Sequence, residues 1–204
     1  MFKHTLPSFL PLLVPSLTWK VQTSDKVVFL TFDDGPHPEI THWVLNVLKQ
    51  HNAKATFFCV GENVTKFPGT YHSIINQGHA TGNHTYNHLK GWTTDNQHYY
   101  DNVSRCATLV KSKLFRPPYG RISPLQIGKL KRQGYSIIMW DILTRDYDSN
   151  INIEQAIQAT VNAAQNGSII VFHDSEKAKG QLQQILPEVL KQLSNKGFTF
   201  NKLL

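Results

Sequence analysis

A chain of 204 residues with 40% hydrophobic and 17% charged content is long enough to bury one large core, and its composition is not that of a disordered polymer. The net charge of +7 and pI near 9.4 come from scattered Lys and Arg, densest in "KSKLFR" and "KLKRQG". A solvated helix face accounts for such groups, so no nucleic-acid partner is expected. Cys59 and Cys106 sit in apolar settings and are too few and too far apart for a disulfide framework or a thiolate zinc site; they read as buried free thiols.

Residues 1–25 read as an arm packed on a domain spanning 26–204. Lys3 before an apolar stretch resembles a secretion signal, but Pro7, Pro11 and Pro15 interrupt it and no small-residue cleavage site follows. The same stretch is too short and broken for a transmembrane span. The compartment therefore stays open, leaning cytoplasmic with the cell envelope as the alternative, and the oligomeric state is not legible.

Short apolar runs of strand length then recur at 26–32 (KVVFLTF), 55–60 (ATFFCV), 78–84 (GHATGNH, the weakest), 113–118 (KLFRPP), 136–142 (SIIMWDI), 168–174 (SIIVFHD) and 198–203 (FTFNKL). Helical periodicity lies between them: Ile40, Val44, Val47 and Leu48 form one apolar face, Ile153, Ile157, Val161 and Ala164 another, and Leu182, Ile185, Val189 and Leu193 a third. Gly78, Gly134, Gly167 and Gly197 fall where those helices should stop, as C-terminal caps do. The β-α alternation, about seven times over, requires a mainly parallel sheet covered by helices, either open or closed into a barrel.

The reactive side chains fall at one end of that sheet. Asp33 and Asp34 end the first run, His84 and His88 follow the third, Arg116 and Tyr119 the fourth, Trp140 to Asp146 the fifth, and His173 with Asp174 the sixth. Parallel α/β folds carry their sites at the C-terminal strand ends. "DDGP" alone is an ordinary turn and a lone His pair an ordinary surface feature. Their conjunction points instead to an open metal site of two His and one carboxylate, typical of hydrolytic zinc. Four residues apart on a helical turn, His84 and His88 would grip one ion. One aspartate of the pair then joins them, and its neighbour, diverging from it at the strand end, is free to act as a base.

These residues resemble the polysaccharide deacetylases of carbohydrate esterase family 4. "TFDDGP" (31–36), "HTYNH" (84–88) and "RPPYG" (116–120) match its motifs closely, and the likeness runs over about residues 26 to 203. The resemblance implies an α/β fold, a distorted (β/α) barrel with seven to eight strands. It also implies a divalent ion, usually zinc with cobalt or another ion possible, held by Asp34, His84 and His88. Asp33 matches the family's general base, His173 its general acid, Arg116 the partner of the base, the Tyr119 backbone N–H the oxyanion donor, and Asp146 the carboxylate that orients the acid histidine. Two departures stand out: Asp146-Tyr147 replaces the usual Asp-Trp, and Val171-Phe172-His173 replaces Leu-x-His. Val is one methylene shorter than the family's leucine, which contacts the acetyl methyl, so the acetyl pocket should differ in shape. Asp141 has no certain family role. Trp92, Trp140, Tyr86 and Tyr147 are candidate sugar-stacking faces.

The expected activity is hydrolysis of N-acetyl groups on N-acetylhexosamine-containing glycans, chitooligosaccharide or peptidoglycan in type, with release of acetate. The alternatives are an O-acetyl esterase acting on a polysaccharide such as xylan, and a non-catalytic carbohydrate-binding protein. The last predicts loss of a ligand, the base or the acid, and all are present.

Overall fold

Val27–Asp33 is buried along its whole length, as a parallel strand covered on both faces must be, and it forms β1 at the centre of the sheet. In the computed structural model, which describes residues 14–204, the chain continues through α1 (Ile40–Gln50), β2 (Thr56–Cys59), α2 (Gly61–Lys66), α3 (Pro68–Asn76) and β3 (Ala80–Asn83). Next come α4 (Asn96–Ala107), β4 (Leu114–Phe115), α5 (Pro124–Arg132), β5 (Ser136–Ile137) and β6 (Ile142–Leu143). The chain ends with α6 (Ile153–Ala163), β7 (Ile169–His173), α7 (Lys179–Asn195) and β8 (Thr199–Asn201). Helix starts follow local chemistry. The Asp95 carboxylate accepts the Gln97 and His98 N–H groups ahead of α4, and Ser123 with Gln126 closes a capping box at α5.

The strands are parallel in the order β5-β4-β3-β2-β1-β7-β6. The eighth strand, β8, lies against the lower half of β1, with Val27 opposite Thr199, while β2 takes the upper half, with Asp33 opposite Phe58. Side chains alternate across β1. Val28, Leu30 and Phe32 join the core under the helices, where Phe32 stacks between Phe57 (4.9 Å) and Phe172 (5.5 Å). Val27 and Phe29 pack on the other face with Phe58, Leu114, Ile138 and Ile169. Thr31 and Asp33 continue that inner face by the two-residue period of a strand, which is why Asp33 ends up inside the curl of the sheet.

The barrel is not closed by strand pairing: among the described residues β5 and β6 do not pair with each other, so the sheet is a half-barrel. The arm bridges part of the gap. Thr18 N–H donates to Ile137 O (2.9 Å), Met139 N–H donates to Thr18 O (2.7 Å), and Lys20 pairs antiparallel with Ser168. Leu17 and Trp19 are buried with Tyr99, Phe115, Leu130 and Ile137. The part of the expected arm before residue 14, with Lys3, Pro7 and Pro11, lies outside the described residues.

Two sequence expectations need correction. The run 136–142 is two strands, β5 and β6, with no helix between them. Asp141 leaves the ladder because its carboxylate accepts the Ser168 hydroxyl (2.7 Å) and the Ile169 N–H (2.7 Å). Gly167 does not cap a helix, since α6 already ends at Ala163. Its φ of 81° and missing side chain instead let the arm pass, for a Cβ there would lie 1.8 Å from Val21 O. Gly78, Gly134 and Gly197, each at positive φ just past a helix, are caps as expected.

At the opposite end of the sheet from the reactive residues, His79 is buried against Phe57, and its Nδ1 accepts the Ala55 N–H (3.1 Å). Burial, helped by Lys54 and Lys202, pulls its pKa down to about 4. A histidine depressed in the folded state destabilises the fold once the unfolded chain takes up a proton, so stability falls as pH drops from about 6.5 to about 4. Across that window His79 contributes a loss of up to about 3 kcal/mol to the stability read by urea unfolding. His79→Gln should remove that contribution, so the two proteins should differ in slope over this window, and an equal slope in both would exclude the residue as a source.

Candidate metal centre and active site

The end of β1 splits its two carboxylates. Asp33 is still in the strand and turns inward. Asp34 adopts φ 78°, a left-handed conformation that redirects its side chain towards the loop after β3. That turn is braced by Asp174, which the sequence placed at a strand end without a role, and by Thr41, which it did not single out. The buried Asp174 carboxylate accepts the Gly35 N–H (3.2 Å) and the Thr41 hydroxyl, and the Asp174 N–H donates to Asp33 O (3.1 Å). A Cβ at Gly35 would strike this carboxylate, so the turn requires glycine. Burial, aided by the Asp34 charge and opposed by the Thr41 hydroxyl, pushes the Asp174 carboxyl up to about 8.

His84 and His88 do not lie on a helical turn as expected. Residues 84–90 form an irregular loop in which Thr85 (φ 64°) and His88 (φ 60°) are left-handed. Side chains hold it there: Asn83 Oδ1 accepts the Thr85 N–H, Asn102 Oδ1 accepts the Tyr86 N–H, and Thr85 Oγ1 accepts the Leu89 N–H. The loop still aims both imidazoles at Asp34. Asp34 Oδ1 is 3.1 Å from His88 Nε2 and 3.7 Å from His84 Nε2, and the ligating atoms of the three residues lie within 4.8 Å of one another.

The electrostatics suit a cation. His84 Nδ1 sits 2.8 Å from Arg116 O, which makes Nδ1 the protonated nitrogen and leaves Nε2 as a free donor atom. Burial, with His88 beside it, lowers the His84 pKa to about 4 against the pull of Asp33 and Asp34, so the ring is neutral. Burial acts to raise the Asp34 pKa, but the His88 hydrogen bond and the nearby His173 charge outweigh it and hold the carboxyl well below the usual range. An ionised carboxylate and neutral imidazoles are the forms that bind a divalent ion.

Arg116 is fully buried behind them. Nη1 donates to Asp33 Oδ1 (2.7 Å) and Thr31 Oγ1 (2.7 Å), Nη2 to Met139 O (2.9 Å) and Nε to Ile138 O (3.3 Å). The guanidinium lies 4.1 Å from the Phe58 ring centre and 5.7 Å from that of Trp140. Thr31 was legible in principle, two residues before Asp33 on the same strand face. Tyr119 has φ 60°, its ring stands 4.6 Å from that of His88, and its N–H donates to no acceptor among the described residues.

On the other side of the triad, His173 Nδ1 and N–H meet the two oxygens of Asp146 (2.7 and 2.8 Å). Burial works against the imidazolium, but Asp146, with Asp34 and Asp33 behind it, overrides this and raises the His173 pKa to about 9. Asp141 takes no part, being held by Ser168 and Ile169. The Tyr147 ring meets His173 edge-on at 4.9 Å. Val171 is buried two residues before His173, opposite Thr31 in the register. Half-buried Trp140 packs over Gly120. Tyr86 lies under Arg105, whose guanidinium is 3.6 Å from its ring centre. Trp92 is exposed on the 3₁₀ turn Gly91–Thr93.

Comparison with known proteins places this arrangement. The polysaccharide deacetylase family model matches residues 20–138. The chain is 31% identical over 190 residues to a peptidoglycan-N-acetylglucosamine deacetylase of Bacillus cereus, covering 90% of this chain and 89% of that one. It is 31% identical over 162 residues to a chitooligosaccharide deacetylase of Azorhizobium caulinodans, covering 76% and 77%. Its fold superposes with a TM-score of 0.89 on the crystal structure of the Bc1960 peptidoglycan N-acetylglucosamine deacetylase, at 30% identity, covering 97% of this chain and 95% of that one. With the family model matched over more than half its length and the Asp34, His84 and His88 triad assembled at the strand ends, the chain belongs to the polysaccharide deacetylase family, carbohydrate esterase family 4.

Proposed function

We propose that residues 26–204 form a metal-dependent hydrolase domain that removes N-acetyl groups from N-acetylhexosamine-containing glycans of the peptidoglycan or chitooligosaccharide type, releasing acetate. The observation that carries this reading is the division of labour at the end of β1: Asp34 faces two imidazoles while Asp33 is paired with a buried guanidinium. The residues fit a divalent ion by their donor chemistry, one carboxylate and two His Nε2 atoms with positions left open. Zinc is the first candidate, with cobalt as a substitute. When bound, the ion supplies Lewis acidity, polarising the acyl carbonyl and acidifying a water.

The chain's own groups do the rest. Asp33 accepts the proton of the attacking water, and Arg116 keeps its carboxylate aimed. The Tyr119 N–H, fixed in a turn after two prolines and without an acceptor among the described residues, donates to the developing oxyanion, a contact worth roughly 3 kcal/mol. His173, with Nδ1 on Asp146, presents Nε2 to the departing nitrogen and protonates it.

The purified protein is expected to hold about one divalent ion per chain and to lose acetate release on thorough chelation until zinc or cobalt returns. Chitooligosaccharides, peptidoglycan fragments and acetylxylan serve as substrates. Turnover indifferent to chelation would defeat the mechanism, and acetate from acetylxylan alone would make the protein an O-acetyl esterase. Val171 tests the acyl pocket: Val171→Leu is expected to lower the propionyl-to-acetyl rate ratio by about tenfold, since one methylene is worth about 1–3 kcal/mol. Equal ratios in both proteins would remove Val171 from the pocket wall.

A further inference from the structure

Trp92 is 63% exposed, yet it is not a loose side chain. Its Nε1–H donates to Ile122 O (3.0 Å), and its turn is tied to the loop after Arg116 by Gly91 N–H to Arg121 O (3.1 Å) and by Gln126 Nε2 to Gly91 O (2.9 Å). The two loops approach so closely that a Cβ on Gly91 would lie 2.5 Å from Arg121 O. Arg121 sets its guanidinium 5.2 Å from the indole centre, and no carboxylate among the described residues pairs with it. These loops also carry His88 and Tyr119, whose rings are in contact, and Tyr119 is itself 62% exposed. A fixed aromatic face with an unpaired cation therefore lies on the two loops that carry His88 and Tyr119. The core makes no use of the indole's open face.

We propose that Trp92 and Arg121 form a subsite for the sugar unit next to the one being deacetylated, and that the unit it selects carries a carboxylate. The inference rests on the deacetylase reading above and narrows its substrate to an acidic N-acetylated glycan, such as one with the ether-linked lactyl group of muramic acid. The pyranose C–H face lies on the indole, and the guanidinium fork takes the carboxylate. Because the indole is already held by its hydrogen bond, little ordering cost opposes binding. The fork distinguishes Arg121 from the scattered lysines, which offer point charges without a planar match.

The test compares three N-acetylated oligosaccharides of equal length: a muramic-containing glycan with its free carboxylate, the same glycan as the neutral carboxamide, and a chitooligosaccharide. Acetate release gives kcat and KM, and calorimetry gives affinity without turnover. The wild type is expected to favour the free carboxylate over the carboxamide by about tenfold, expressed in KM and Kd. Arg121→Gln should bring that ratio close to one. Trp92→Ala should raise KM several-fold on all three with little change in kcat. A wild type that does not discriminate, or discrimination that survives in Arg121→Gln, overturns the subsite. Absence of acetate release from every glycan with zinc restored instead overturns the activity reading, and the calorimetric ratio still decides the subsite.

Discussion

Asp33→Asn is expected to retain its divalent ion and lose about 10²–10⁴-fold in turnover, the usual contribution of a general base. Asp34→Asn is expected to lose the ion and to regain part of its activity at high zinc concentration. The contrast follows from partners. Asp34 Oδ1 lies 3.1 Å from His88 Nε2, whereas Asp33 Oδ1 lies 2.7 Å from Arg116 Nη1 and has no imidazole partner among the described residues. Asn at position 33 still offers a carbonyl to Arg116 but cannot take a proton. Asn at 34 is a neutral, weaker ligand. Metal content and acetate release, measured on both variants with zinc varied, separate the roles. If Asp33→Asn loses the ion while Asp34→Asn keeps it, the roles are reversed, and full activity in both would place the chemistry elsewhere.

Arg116→Met is expected to be the most destabilising change at the site. It leaves Asp33 buried without a counter-charge and removes the donors to Ile138 O, Met139 O and Thr31 Oγ1. Breaking a buried pair from one side typically costs about 3–5 kcal/mol, and for a chain of this size that is a fall in Tm of roughly 6–20 °C. Activity should fall with it, because the Asp33 carboxylate loses the group that aims it. Arg116→Lys keeps the charge without the fork and should land between the two, so it separates lost charge from lost geometry. A Tm within 2 °C of wild type for Arg116→Met would mean that the guanidinium does not hold these strands together.

The sequence by itself determined the sheet and the address of its chemistry, because both depend on short-range pattern. The apolar run ending in Asp33 and Asp34 requires a buried strand that stops at Gly35-Pro36, and the apolar spacing from Ile40 to Leu48 requires a helix that returns over it. The polar residues fall at one end of the sheet because consecutive parallel strands put their C-termini there. Only the tertiary structure decided how those residues meet. His84 and His88 sit four apart, a spacing that suits a helix, but Asn83 and Asn102 accept the loop's N–H groups and hold it irregular, with Thr85 and His88 at positive φ. The apolar run through Trp140 and Asp141 has the composition of one strand, yet Ser168 and Ile169, 27 and 28 residues away, take the Asp141 carboxylate and divide it. Gly167 sits where a helix cap would, but what requires glycine there is the carbonyl of Val21 in the arm. In each case the deciding contact joins residues distant in sequence, and a local pattern carries no information about which distant hydrogen-bond partner will compete for the backbone.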